Sequence, residues 1–258
     1  MSKVLVIGDG CKDVFLYGKC DRLSPEAPVP IFKPCKMHDN GGMAVNVYNN
    51  LRALGIEADI LTDSGITKTR YVDLASNQML LRVDEDDRVE EIDITLLEKI
   101  DLKQYDAVVI SDYDKGFLDI DDIEYLAKNH KAVFMDTKKD IGIWSMKIFC
   151  IKVNNKEYER NKSWLDTMFN NNVVITLGDR GAAYSNQRKK IKKHLIQITE
   201  EHPVRDLSGA GDTFMAALVA KYLETNDMVN AIEFANKCAA WVVTQKGVVT
   251  VDLTKIKI

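Results

Sequence analysis

The sequence predicts an α/β fold: a mostly parallel central sheet with helices on both faces, to which a small β lid is added. Short apolar runs rich in β-formers recur at 4–7, 58–61, 107–110, 132–135, 148–153 and 173–177, several of them apolar at consecutive positions. Strands covered on both faces read this way. Helical patterns lie between them, at 43–54, 120–129 and 163–171, and strand alternating with helix points to parallel pairing. Two further segments, 14–37 and 69–84, break that alternation and are assigned to the lid.

Taken in order, Val4-Leu5-Val6-Ile7 reads as a buried first strand, since its apolar run is too short for a signal peptide. Residues 14–37 place Tyr17, Val29, Ile31 and Phe32 among Gly, Pro and Lys, which suits extended chain. Tyr71, Val72, Met79, Leu80, Leu81 and Val83 repeat that character in 69–84. Together the two segments are expected to form a small separate sheet that closes over an open crevice and excludes water from it. The last third turns helical, with 210–223 and 228–244 both apolar at helical spacing. A single domain over 1–258 is the expectation, with no internal repeat.

Composition narrows the function. The 258 residues carry 35 Lys+Arg and 39 Asp+Glu, a net charge of −4, which argues against a dedicated nucleic-acid binder. The basic run 188–193 and the acidic run 84–91 both read as solvated loops. No apolar stretch approaches the roughly 20 residues of a membrane span. Five scattered cysteines without a CxxC pair suggest a reduced, cytoplasmic protein without structural zinc.

The strongest chemical signal is Asp206-Leu207-Ser208-Gly209-Ala210-Gly211-Asp212-Thr213-Phe214, directly before an apolar helix. Small residues at Gly209, Ala210 and Gly211 let backbone N–H groups approach an anion at the helix N-terminus. Asp212 in the first turn is then placed to take a proton from an attacking hydroxyl while those amides hold a migrating phosphoryl group. The same pattern also suits an Asp near a helix cap after a Gly turn. Thr176, Gly178 and Gly181 follow an apolar strand, in a turn that either passes nucleotide phosphates close to backbone or simply closes a hairpin. Asn154 and Glu157 suit a hydrated Mg²⁺ on a nucleotide, and equally a capping box.

These pieces in this order resemble the ribokinase-like (PfkB) family of carbohydrate kinases over nearly the whole chain. The resemblance implies a three-layer α/β/α fold. Gly8-Asp9 and Asp13 look like the family's N-terminal sugar-binding turn, and Gly41, Gly42 and Asn46 match its Gly-Gly signature. Within the family, the stretch from Arg22 to Pro30 is similar to D-glycero-D-manno-heptose-7-phosphate kinases. So are Thr67-Lys68-Thr69-Arg70, the stretch from Asn77 to Asp84, Ser111-Asp112-Tyr113-Asp114-Lys115-Gly116 and Asp136-Thr137-Lys138. The implied reaction is ATP- and Mg²⁺-dependent phosphorylation of heptose 7-phosphate to the 1,7-bisphosphate. Arg22, Lys68, Arg82, Lys115 and Lys138 are more cation than a neutral sugar needs, and Arg82 and Lys138 rank first as ligands of a substrate phosphate. A homodimer through the lid is a further implied partner. The family's monovalent-cation site maps to the carbonyls around Asp206 and Ser208 and to the loop at Gly247-Val248-Val249-Thr250, donors that suit K⁺.

The chain departs from the family where residues 61–67 join a core strand to the lid almost directly, so that an αβ unit is missing. That keeps two other readings open: a kinase for another sugar or nucleoside, and a non-catalytic sugar-phosphate or nucleotide sensor. A dinucleotide-dependent oxidoreductase does not fit, because Asp13 stands where its fingerprint needs a third glycine.

Overall fold

The structure is a computed structural model, and it describes residues 2–167, 171–186, 188–189, 191–198 and 204–256. Among these residues, ten strands and six helices follow one another, beginning with β1 (Lys3–Lys19), β2 (Lys33–Met43), α1 (Ala44–Ala53), β3 (Glu57–Asp73), β4 (Met79–Glu85), α2 (Ile94–Lys99), β5 (Ala107–Asp112) and α3 (Ile120–Asn129). Then come β6 (Val133–Thr137), β7 (Cys150–Asn154), α4 (Asn155–Leu165), β8 (Asn172–Thr176), β9 (Ala182–Asn186), β10 (Ile191–Ile196), α5 (Ala210–Thr225) and α6 (Met228–Val242). The strands form one sheet in the order β10-β9-β8-β7-β6-β5-β1-β3-β4, with β2 paired to β1. Pairing is parallel from β3 through β1, β5, β6 and β7 to β8, and antiparallel at both ends.

The consecutive apolar residues of the strands divide between two cores. Val4 and Val6 of β1 face a cluster with Val47 and Leu51 of α1, Leu218 of α5 and Ile232 of α6. Leu5 and Ile7, one residue out of phase, face the opposite cluster with Leu97 of α2, Ile123 and Leu126 of α3, and Leu165 of α4. The period-two alternation of strand side chains thus builds three layers, α/β/α, from one unbroken apolar run. Among the described residues, no helix is long and apolar enough to cross a membrane.

Three expectations need correction. The lid is not a separate sheet: β1 and β3 each run for 17 residues from the core into the lid and stay paired, with one irregularity near Asp9/Cys11. Where β5 ends, β2 takes its place beside β1, so the backbone ladder is never broken. For the same reason the segment from Gly8 to Asp13 is extended strand rather than a turn. The missing αβ unit corresponds to the point where β3 continues straight through residues 61–67. Lastly, the helix expected over 163–171 is α4, which starts at Asn155 and ends at Leu165; residues 168–170 lie outside the described set. Its start is fixed by a reciprocal capping box between Asn154 and Glu157. Of the basic run 188–193, Arg188 and Lys189 sit exposed in the turn between β9 and β10, and the other side chains lie outside the described residues.

Asp9, fully buried, ties this frame to the next loop by accepting from the backbone N–H groups of Tyr113 (2.6 Å), Lys115 (3.2 Å) and Phe117 (3.2 Å). Beside it Gly8 has φ +148°, and a Cβ there would be driven into the backbone carbonyl of Ser111. Gly8→Ala is therefore expected to cost about 3 kcal/mol or more of stability. A denaturant midpoint unchanged from the parent protein would show that β1 and β5 can separate at this point.

Candidate active site

The carboxyl ends of the parallel strands open on one crevice, the usual ligand position in an open α/β sheet. The N-terminus of α5 points into it. Gly209, at φ +78°, caps that helix in a left-handed conformation, and a Cβ there would lie 2.6 Å from Asn46 Nδ2. One turn on, Asp212 is 4% exposed. Its two oxygens accept from Asn46 Nδ2 of α1 at 3.0 Å and from Tyr113 Oη, just past β5, at 2.7 Å.

Burial pushes the Asp212 carboxyl up to about 6, and nearby Asp136 adds to this. The bonds from Asn46 and Tyr113 and the ammonium of Lys152 act the other way. Burial also holds the Tyr113 phenol well above its usual range, reinforced by Asp212, so it remains a donor. Lys138 lies over the Tyr113 ring, 5.4 Å from its centroid. It is ion-paired with Glu157 and lies 3.8 Å from Asp136 Oδ1. Burial is the largest single influence on Lys138 and lowers it, but Asp136, Glu157 and Asp212 together outweigh that and raise it.

Beside Asp212 lies a cavity of about 600 Å³. Thr176, Gly178, Asp179 and Gly181 form one wall, Leu207, Ala210, Gly211 and Phe214 the floor, and Asn236, Ala239 and Ala240 of α6, with Val243 just past its end, the far side. The turn that carries Gly178 and Gly181 joins two antiparallel strands, so it closes a hairpin and lines the cavity at once.

The structure brings together some of the residues singled out in the sequence and leaves others apart. Asn46 and Asp212 touch, and Thr176, Gly178, Gly181, Ala210 and Gly211 share the cavity. Gly41 and Gly42 end strand β2; a Cβ on Gly42 would lie 2.6 Å from Asp13 Oδ2. Asp13 is buried, and its Oδ1 is 2.5 Å from Arg70 Nη1. By register, Asp13 and Phe15 of β1, Lys68 and Arg70 of β3, and Arg82 and Asp84 of β4 share one face of the lid. Arg82 stands apart from Asp212 there, half exposed and paired with Asp84. Asn154 and Glu157 are engaged in their capping box and do not line the cavity. Both oxygens of Asp206 accept backbone N–H groups, from Ser208 at 2.9 Å and Gly247 at 3.1 Å, which ties the segment before α5 to the 244–249 loop.

Three participants had no assigned role in the sequence. Tyr113 lies inside a matched segment, Arg70 inside another, and Lys152 is the one charged residue in the otherwise apolar run 148–153. That interruption of a buried strand was the available signal.

The fold and crevice define a ribokinase-like α/β kinase. The ribokinase of Thermotoga maritima superposes with a TM-score of 0.73 at 17% identity, covering 98% of this chain and 97% of its own. For Arabidopsis thaliana ribokinase, solved with ribose and ATP, the TM-score is 0.69 at 16% identity, over 96% of this chain and 94% of that one. The pfkB family carbohydrate kinase profile matches residues 87–255, and the chain belongs to this family. The bifunctional protein HldE of Helicobacter pylori strain J99 is 32% identical over 309 residues, covering 99% of this chain and 66% of its own length. Its counterpart from a Nitratiruptor species is 30% identical, over 99% of this chain and 64% of its own. The chain thus spans about two thirds of the length of these relatives.

The environment of Asp212 fixes a pH dependence. Turnover that requires the ionised carboxylate is expected to rise through about pH 6 and flatten above it. Tyr113→Phe removes a bond that favours the charged form, so the rising limb should shift to higher pH in that variant. A kcat/KM profile in which the limb stays put or moves down would separate Tyr113 from the titration.

Proposed function

We propose that the protein transfers the γ-phosphoryl group of ATP to the anomeric hydroxyl of D-glycero-D-manno-heptose 7-phosphate, giving the 1,7-bisphosphate. The observation that carries the reading is Asp212: a buried carboxylate with both oxygens fixed, in the first turn of α5, beside a cavity of nucleotide size. In this reading the sugar lies against Asp13, Gly41, Gly42 and Asn46, under the lid. The nucleotide occupies the cavity along Thr176, Gly178 and Gly181. Asp212 takes the hydroxyl proton as the sugar oxygen attacks phosphorus, and the amides of Gly209, Ala210 and Gly211 receive the developing charge.

Asn154 and Glu157 keep their capping bonds outside the cavity, so the donor set suits a hydrated Mg²⁺ on the nucleotide that is reached through water. Glu157 and Asp136 are buried carboxylates on either side of Lys138, Asp136 acts on the charge of Asp212, and Asp136 Oδ1 is buried without a hydrogen-bond partner. These two, with Asn154, would hold the ion, which when bound offsets phosphate charge. Carbonyls of Asp206 and Ser208 are the candidate donors for K⁺.

Two things support the heptose phosphate: the matched segments in the sequence, and the similarity to proteins named as bifunctional protein HldE. A phosphate on the substrate would be served by Lys68, Arg70 and Arg82 on the shared lid face, or by Lys138 just past β6. One observation favours a second reading, a kinase for a neutral sugar or nucleoside. Arg70, Arg82, Lys115 and Lys138 are each already paired, with Asp13, Asp84, Asp87 and Glu157 respectively.

ADP release with Mg-ATP and K⁺, measured across a panel headed by heptose 7-phosphate and followed by ribose, fructose and adenosine, decides between them. Turnover confined to the heptose phosphate is expected, and turnover with a neutral sugar alone would transfer the conclusion to the second reading. Asp212→Asn should lose roughly 10²–10⁴-fold in kcat while still binding ATP. Ala239→Phe, which fills the cavity from α6, should raise the KM for ATP by about 10-fold or more and leave that for the sugar nearly unchanged.

A further inference from the structure

Lys152 lies on β7 with 4% of its surface exposed, among the buried Cys150, Ile151 and Val153. An ammonium so placed is costly unless it is fully paired. Its pairing is incomplete. Among the described residues its one hydrogen bond goes to Asp136 Oδ2 on β6, although an ammonium has three protons to donate. The other oxygen of Asp136, a residue itself more than nine-tenths buried, has no hydrogen-bond partner.

Lys152 Nζ is 3.2 Å from where a Cβ on Gly211 would project, so it abuts the first turn of the 16-residue helix α5. Helix N-termini repel cations and attract anions. Gly211 is a lining residue of the cavity, and that same turn carries Asp212. Lys152 faces Asp136 and acts on the Asp212 carboxylate, yet it keeps protons to spare beside the helix turn that lines the cavity, where they suit an anion arriving from it.

We propose that Lys152 is a catalytic residue that binds the γ-phosphoryl group, completing with the amides of Gly209, Ala210 and Gly211 the cradle in which the group is transferred. The proposal rests on the kinase reading of that helix end and adds to it a side-chain cation. As the sugar oxygen bonds to the γ-phosphorus, the bond from phosphorus to the bridging oxygen of the β-phosphate breaks. The hydroxyl proton passes to Asp212, and the electron pair leaves on ADP. Lys152 keeps its proton throughout and donates to the non-bridging oxygens of the moving group. Its bond to Asp136 Oδ2 aims the ammonium, and its charge helps to keep Asp212 ionised.

The test is calorimetric binding of Mg-ATP and Mg-ADP to the parent protein and to Lys152→Met, with kcat measured alongside. The parent should bind ATP more tightly than ADP. Lys152→Met should bind ADP within about 3-fold of the parent and lose the preference for ATP, and kcat should fall by about 10²–10³-fold, as for loss of one oxyanion donor. A purely structural lysine would not separate the two nucleotides. The proposal is overturned if the folded variant keeps its preference for ATP, or if it loses both nucleotides equally. Should Lys152→Met fail to fold, Lys152→Gln, which can still donate to Asp136, is read in the same way. A parent protein that binds ATP no more tightly than ADP overturns the proposal by itself. A parent that prefers ATP yet turns over no sugar in the panel removes the substrate assignment and leaves Lys152 standing.

Discussion

The two hydrogen bonds that Asp212 accepts come from Asn46, 166 positions before it in the chain, and from Tyr113, 99 positions before it. Local structure alone brings neither donor to Asp212, although Asn50, one turn on in α1, orients the Asn46 amide by donating to its Oδ1. Asn46 is fixed because α1 packs with α5 in one core, and Tyr113 because its backbone N–H is held by Asp9 at the end of the first core segment of β1. The carboxylate is therefore a point where two long-range constraints meet. A buried carboxylate that is left unpaired takes up a proton, so each of these donors also keeps the group able to receive one during reaction.

Around that point, charge alternates in sign through the crevice. Lys152 faces Asp136, which lies near Lys138, and Lys138 is paired with Glu157. Glu157 in turn closes the N-terminus of α4. A buried network of this kind adds little to stability compared with an apolar core of equal volume, but it fixes where each charge sits. The carboxyl ends of β6 and β7 and the start of α4 are thus held in one geometry by the same groups that face the crevice.

The core strands and most helices are legible because several core strands are apolar at consecutive positions, as burial on both faces requires. The α4 helix was misplaced for an equally physical reason. Its buried face uses Glu157 and Asn161 beside Tyr158 and Leu165, so the apolar period is too thin to mark the element. The lid was read as a separate sheet because Asp9, Gly10, Lys12 and Asp13 interrupt the apolar run of β1. Those residues remain in the strand, where backbone pairing on both sides tolerates polar side chains that meet the crevice. Asp212, Asn46 and the cavity glycines could be found from motif and spacing. Tyr113 and Arg70 could not, since their places arise only when distant strand ends are set side by side; Lys152 is marked only as the one charge in an apolar run.

The strands β1 and β3 belong to the core at one end and to the lid at the other. Ownership of these residues cannot be divided. A lid built as an inserted hairpin could be exchanged between enzymes like a cassette, with two cuts and a new loop. Here the cut would pass through a central strand of the sheet, and the transplanted piece would arrive without the parallel neighbours that set its register. Change in this lid must therefore proceed residue by residue, along strands whose first halves are not free to vary with them.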